Sequence, residues 1–190
     1  MRSFLAARID RQTAADARDR HALYFAGQVD ELGALVPGPD EDDACARLAV
    51  ELDDVHAAYE HAAGWGDVDT AARLTLGPRL ALSTEAARWA HLALRAVELP
   101  GIEAHPEYVS LLASAAWGAV LVADLEQARA LANAGLALVG DPALHPRLCW
   151  IWPQATGGSF EEGADCCIAG AAAAAGKGDR AAESFLLARR

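Results

Sequence analysis

Strand-like patterning is missing from this sequence. No stretch alternates Val, Ile, Thr or aromatic residues with polar ones, which is the pattern of a half-buried β-strand. Aromatic residues make up only 6% of the 190 residues, whereas alanine is over-used. Alanine has the highest helix propensity and lets helix backbones approach closely. The sequence therefore predicts an all-α protein with no sheet.

Basic charge is also scarce. Sixteen Lys and Arg residues stand against 27 Asp and Glu residues, which gives a formal net charge of −11. A protein that grips a phosphate backbone needs a clustered basic surface, so we expect no nucleic acid contact by this segment. The acidic excess suits a solvated surface that keeps an alanine-rich protein soluble, and selection of basic partners is the alternative.

Segments typical of export, membrane insertion or metal binding are absent too. Charge interrupts the N-terminal residues before any apolar core forms, so no secretory signal is predicted. The longest uncharged run, residues 108–123, is shorter than the roughly 20 residues that span a bilayer. The cysteines show no C-x-x-C spacing and are predicted to be small buried thiols in a reducing cytoplasm: Cys45, Cys149, Cys166 and Cys167.

Catalytic motifs are missing as well. The nearest approach to a phosphate loop, residues 170–178, has five residues between its glycines instead of four and no Ser or Thr after Lys177. A helix that ends at Gly176 is the preferred interpretation. Acidic neighbours are expected to raise the thiol pKa values of Cys166 and Cys167, against a redox role. We predict no catalytic residue, no cofactor and no metal site.

The histidines give no stronger signal. None of the six lies beside a Cys or a carboxylate at a spacing that makes a metal site or a catalytic pair. His105 and His145 each precede a proline, a position typical of the start of a helix. Capping and surface roles are therefore expected for them.

The strongest positive signal is an amphipathic helix. Its apolar residues recur at spacings of three and four, which predicts one buried face: Leu48, Leu52, Val55, Ala58, Tyr59 and Ala62. Acidic residues between them predict a solvated opposite face. The acidic run at residues 40–43 is expected to supply an N-cap and a negative first turn.

Two segments carry a likeness to a known family. Arg20-His21-Ala22-Leu23-Tyr24-Phe25 is similar to an Arg-x-Arg-His-x-x-Tyr-Phe helix, and residues 48–59 are similar to a Leu-x-x-Glu-x-Asp-Asn-Leu-Arg-x-Ala-Leu helix. Asp54 stands where Asn is usual, Val55 replaces Leu and His56 replaces Arg. The chain thus resembles, over most of its length, the helical-repeat region of large bacterial STAND-type transcriptional regulators of the LuxR and AfsR kind and their cyclase-linked relatives.

The resemblance implies a domain organisation and a role. Residues 1–20 are similar to the end of a winged-helix or linker segment, and residues 21–190 would form the helical-repeat domain, incomplete at its C-terminus. In that family the region is an interaction or sensor solenoid. The ATPase and DNA-binding modules would lie elsewhere in the parent protein.

Loose internal repetition in the sequence also indicates a helical-repeat architecture. Three helices can be aligned with Ala86, Ala128 and Ala164 in equivalent positions, at steps of 42 and 36 residues, which is the range of helical-hairpin repeats. Small residues recur where such helices would cross. We therefore predict about eight to ten helices in stacked antiparallel hairpins, forming a tetratricopeptide-like right-handed superhelix.

Proline and glycine predict where helices end. Helices over about residues 4–18 and 20–35 precede a stop at residues 36–39, Val-Pro-Gly-Pro. Gly77-Pro78 and Trp152-Pro153 are expected to break or kink the first helices of two later hairpins.

Tryptophans are the candidate binding residues. Trp117 falls on the first helix of its hairpin, on the face that lines a solenoid groove, and Trp150 and Trp152 fall on the next first helix. One aromatic wall would suit an apolar peptide helix or a stacked sugar ring, and filling of core volume is the alternative. Trp65 and Trp89 are expected in the inter-helix core.

The function predicted from these features is non-catalytic. The chain is expected to be a cytoplasmic interaction or sensor segment that binds a protein partner or a small effector in a concave groove. A free-standing adaptor is the first alternative. An all-helical enzyme, with a site assembled from residues distant in sequence, is the second.

Overall fold

Eight α-helices make up the described part of the chain. The computed structural model describes residues 11–35, 39–76, 86–141 and 145–176, together with residues 178, 183, 186 and 187. The helices are α1 (Arg11–Gly33), α2 (Glu41–Trp65), α3 (Val68–Leu76), α4 (Ala86–Ala96), α5 (Tyr108–Leu121), α6 (Leu125–Val139), α7 (Pro146–Thr156) and α8 (Phe160–Gly176), with a 3-10 turn at Ile102–Ala104. These residues contain no strand, so the predicted all-α class is confirmed.

The helix at the start of the described chain differs from the prediction. A break near residue 19 was expected, but α1 runs unbroken from Arg11 to Gly33. Neither Pro nor Gly occurs near Asp19, and an apolar stripe from Ala22 to Leu32 continues to pack on the core. The predicted division at residues 20 and 21 therefore falls inside one helix. Residues 4–10 of the predicted first helix lie outside the described residues.

Helix α2 follows its sequence pattern closely. All six apolar residues of the predicted stripe are buried, and acidic residues between them are exposed. Asp40 occupies the N-cap position, but its side chain accepts none of the N–H groups of the first turn, which all lie within the described residues. Gly66 ends the helix with φ 73°, a conformation that glycine adopts without strain. The spacing of apolar residues therefore predicted the buried face of this helix correctly, whereas the predicted side-chain cap is not formed.

The helices pack in an orderly succession. Each odd-numbered helix packs against the even-numbered helix that follows it, and α1, α3, α5 and α7 also pack one against the next. The odd-numbered helices therefore form one layer. Helices α3, α5 and α7 each also contact the even-numbered helix that precedes them.

Two small residues allow α4 and α5 to approach closely. A Cβ atom built at Gly118 would lie 2.9 Å from the Cβ atom of Ala90 and 3.0 Å from its carbonyl oxygen. These separations leave no room for a side chain at position 118. The expectation of small residues at a helix crossing is therefore confirmed here.

The predicted helix breaks have two outcomes. Helix α3 ends at Leu76, immediately before Gly77-Pro78, which lies outside the described residues. Pro153 lies inside α7, which continues to Thr156 and ends at Gly157 with φ 78°. In the described ranges, no helix combines the length and the apolar character needed to cross a membrane.

Candidate functional site

A pocket of about 480 Å³ opens on the layer of odd-numbered helices, a size common among small-molecule sites. We call it the polar pocket. Its lining comes from helices α1, α3 and α7, from the residue that follows α1 and from the turn that precedes α5: Asp30, Gly33, Ala34, Asp69, Arg73, Leu76, His105, Pro106, Glu107 and Arg147. None of these residues was a candidate from the sequence, because each is an ordinary residue within its own helix or turn.

The arginines of the polar pocket are engaged with protein acceptors. Arg73 donates from Nε and Nη2 to Asp30 Oδ2, at 2.9 and 2.7 Å. Arg147 donates from Nη2 to the carbonyl oxygen of Leu76 at 2.6 Å and from Nη1 to Ser114 Oγ at 3.1 Å. These contacts fix both guanidinium groups against the pocket wall.

The carboxylates are the more accessible charges. The side chain of Asp69 is 71% exposed and that of Asp30 is 47% exposed, whereas that of Arg73 is 36% exposed. His105 Nε2 lies 3.5 Å from Asp69 Oδ1, and its Nδ1 accepts the N–H of Glu107. The pocket therefore presents mainly negative groups to solvent.

Beside the pocket, a serine, a histidine and a glutamate form a hydrogen-bonded chain. Ser110 Oγ donates to Glu107 Oε2 at 2.7 Å and lies 3.2 Å from His145 Nε2. His145 Nδ1 accepts the backbone N–H of Leu148 and thereby caps α7. The expectation that this histidine caps a helix is confirmed.

The donor and acceptor roles in these hydrogen bonds argue against catalysis by Ser110, His145 and Glu107. Because Nδ1 accepts a hydrogen bond, the neutral ring of His145 carries its proton on Nε2 and donates it toward Ser110. A catalytic histidine must instead accept the serine proton, and the acid must contact the histidine. Here the acid contacts the serine. These hydrogen bonds therefore connect the start of α5 to the start of α7.

Burial keeps His145 uncharged. Burial lowers the pKa of its imidazole, the positive charge of Arg147 lowers that pKa further, and Glu107 opposes both. The unfolded chain then takes up a proton before the folded chain does as the pH falls. The stability that this group contributes is present above the unfolded pKa of about 6.5 and is lost as the pH falls through the folded value.

We expect His145→Asn to reduce the acid sensitivity of folding. Asparagine is a strong N-cap residue but does not titrate, so it should keep the cap of α7 and remove the proton uptake. The measurement is urea unfolding at about pH 7 and about pH 5. The loss of unfolding free energy between these pH values should be smaller in the variant. Equal losses in both proteins would contradict the assignment. His145→Ala serves as the control that loses the cap at both pH values.

The three candidate tryptophans lie apart from the polar pocket. Trp117 on α5 and Trp150 on α7 contact each other, with ring centroids 4.9 Å apart and planes tilted by 52°. Trp152 packs with them against a core of small residues on α5, α6 and α7, and all three are half-buried. The indole nitrogens of Trp117 and Trp152 are buried and have no hydrogen-bond partner among the described residues. Their use by a partner stays a prediction, and the contacts show packing.

The other two tryptophans differ in burial. Trp89 is buried, as expected. Trp65 is 74% exposed, so its expected place in the core was wrong. It is the last residue of α2, where the chain turns at Gly66.

The segment whose glycine spacing is nearest to a phosphate-loop motif is helical. Helix α8 continues to Gly176, which confirms the helix interpretation of residues 170–176. In the parts of the chain that are described, no group of three or more His, Cys, Asp or Glu side chains is arranged to hold a metal ion.

No protein-family model matches the chain, and no curated protein or solved structure proves similar to it. The likeness to STAND-type regulators therefore rests on the residues quoted above.

Proposed function

We propose that this chain is a non-catalytic interaction or sensor segment, related to the helical-repeat region of STAND-type regulators, and that it takes its effector in the polar pocket. The observation that carries the proposal is the convergence of α1, α3, α7 and the turn that precedes α5 on this pocket. On this proposal the hairpins form a tetratricopeptide-like right-handed superhelix. The ATPase and DNA-binding modules belong to the parent protein.

A ligand at this point can act as a switch. It touches α1, α3, α7 and the turn that precedes α5 at once, so its affinity depends on how these elements are arranged relative to one another. A ligand that prefers one arrangement shifts the population toward that arrangement. Such a switch requires no chemical step. This agrees with the hydrogen-bond directions around Ser110, which argue against catalysis.

The charges of the pocket favour a cationic group on the effector, whether that is a small molecule or a side chain of a protein partner. Arg73 and Arg147 already donate to protein acceptors, whereas the carboxylate of Asp69 is 71% exposed and that of Asp30, which accepts from Arg73, is still 47% exposed. A guanidinium or ammonium group would meet these oxygens with complementary charge.

The test uses agmatine, which carries a guanidinium and an ammonium group, in an NMR titration of the ¹⁵N-labelled full chain. We expect saturable amide shifts confined to the parts of α1, α3 and α7 that line the pocket and to the turn that precedes α5. Asp69→Asn should weaken binding by about tenfold, which corresponds to roughly 1.4 kcal/mol. Succinate, an anion, should give no such shifts.

Glu51→Gln is the matched control. Glu51 is an exposed carboxylate on α2, which contributes no residue to the pocket lining. This variant removes the same charge from the chain, so it should bind agmatine as the native protein does. Non-saturable shifts spread over acidic residues throughout the chain, equal in both variants, would show that net charge alone attracts the probe and would contradict the proposal.

A further inference from the structure

Cys149 on α7 and Cys166 on α8 face each other across the last hairpin. Their Sγ atoms are 3.0 Å apart, and Cys149 Sγ lies 2.6 Å from the carbonyl oxygen of Cys166. An S–S bond measures about 2.05 Å, so the two sulfur atoms need to approach by only about 1 Å to be joined. Both residues are free thiols in this structure.

The two thiols differ in access to solvent. Cys149 is fully buried in a small cluster with Cys167, Ala171 and Leu186, whereas Cys166 is half-buried at the edge of that cluster. A small reagent from solvent therefore meets the sulfur of Cys166 first. Cys149 lies directly behind it, in the position of a resolving thiol.

The thiols also differ in acidity. The hydrogen bond between the two thiols lowers the pKa of Cys166, against the opposing effects of burial and of the charges of Cys167 and Asp141. Hydrogen bonds with Cys166 and then with Cys167, followed by burial, raise the pKa of Cys149. The expectation that acidic neighbours would raise the pKa of Cys166 was therefore wrong, because the facing thiol outweighs them.

We propose that Cys149 and Cys166 form an oxidative modification site, at which a peroxide converts the two thiols into a disulfide that clamps α7 to α8. This inference stands independently of the polar pocket, because neither cysteine lines it. The disulfide would tie together two helices that now meet only through non-covalent packing. Reversible bridges of this kind are the usual form of disulfides in a reducing compartment.

The chemistry balances in two steps. The Cys166 thiolate attacks one peroxide oxygen, the O–O bond breaks, and the departing hydroxide takes a proton to become water, which leaves a sulfenic acid on Cys166. The Cys149 sulfur, losing its proton, then attacks the Cys166 sulfur, and the S–O bond breaks to release a second water. The two thiols lose two electrons, and hydrogen peroxide is reduced to two waters.

The test treats the folded full chain with hydrogen peroxide and follows thiol titration and peptide mass spectrometry. We expect the four thiols to fall to two, with a mass loss of about 2 Da, and a peptide pair joined through Cys149 and Cys166. Cys166 should react at least about tenfold faster than Cys45, whose pKa is raised by burial and by Glu41 and Asp42. A thiol reductant should restore all four thiols.

Variants separate this bridge from other oxidation. Cys149→Ser should stop at a sulfenic acid on Cys166 that dimedone traps, while Cys45→Ser and Cys167→Ala should still form the bridge. A bridge between Cys166 and Cys167, a bridge between two molecules, or equal reaction of Cys45 and Cys166 would overturn the proposal. Because Cys45→Ser leaves the cluster untouched, it keeps the test decisive if a cluster variant does not fold.

Discussion

Replacing Tyr59 by alanine is expected to lower the free energy of unfolding by about 3–5 kcal/mol. The side chain is fully buried in α2, within the core that α1 to α5 share, and the Arg95 guanidinium lies 5.3 Å from its ring centroid. Truncation removes the aromatic contacts and leaves a cavity that rigid helices on several sides cannot close. Small domains are stabilised by only about 5–15 kcal/mol in total, so this variant should be near the limit of folding.

Tyr59→Phe is the control that separates the ring from its hydroxyl. The hydroxyl is buried and has no hydrogen-bond partner among the described residues, and burial raises its pKa to about 12. A buried hydroxyl without a partner costs free energy, so removing it should leave the unfolding midpoint unchanged or raise it. Urea unfolding of both variants tests the pair. A loss above about 1 kcal/mol in Tyr59→Phe would show that the hydroxyl has a partner in the folded chain.

Gly118→Ala is expected to destabilise the protein by about 1–3 kcal/mol, and Gly118→Val by more. The new Cβ atom would lie 2.9 Å from Ala90 Cβ and 3.0 Å from the Ala90 carbonyl oxygen. Backbone atoms cannot turn aside as a flexible side chain can, so α4 and α5 must separate. Separation loses packing along the whole contact between the two helices.

Gly27→Ala provides a matched control for that variant. Gly27 also lies within a helix, but no atom lies within 4 Å of a Cβ built there. Alanine at this site should therefore stabilise the protein by about 0.5–1 kcal/mol, because it restricts the unfolded chain and favours the helix. Opposite signs for the two substitutions in urea unfolding would confirm that the α4–α5 contact requires glycine. A similar loss at both positions would refute it.

The sequence predicted those features that depend on neighbours along the chain. The three- and four-residue spacing from Leu48 to Ala62 marked the buried face of α2, because one helix turn decides which side chains share a face. The absence of alternation correctly excluded strands from the described residues. The predicted break near residue 19 was wrong, because no residue there interrupts helix hydrogen bonding and the helix runs unbroken from Arg11 to Gly33.

The candidate site could not be predicted in the same way. Arg147 donates to the carbonyl oxygen of Leu76, a residue 71 positions earlier, and Arg73 pairs with Asp30, 43 positions earlier. Nothing in the local pattern distinguishes these residues from other surface charges. Cys149 and Cys166 likewise meet only because α7 and α8 pack together, whereas the sequence drew attention to the adjacent pair at 166 and 167.

The contacts of the tryptophans also depend on tertiary packing. Trp150 on α7 forms a ring pair with Trp117 on α5. Trp152 packs against the same core cluster as these two residues. The spacing of Trp150 and Trp152 along α7 does not identify the residues on α5 and α6 that lie beside them.

The contact of Arg147 with the end of α3 has a consequence for how the chain unfolds. In a simple linear array each repeat touches only its neighbours, and the end repeats can melt away one by one. Here the start of α7 holds the last carbonyl of α3, so the pair α7 and α8 is fastened directly to the pair α3 and α4. Loss of α7 would remove a hydrogen-bond donor from the end of α3. These helix pairs are therefore coupled although another pair lies between them along the chain, and cooperative melting is favoured over stepwise fraying.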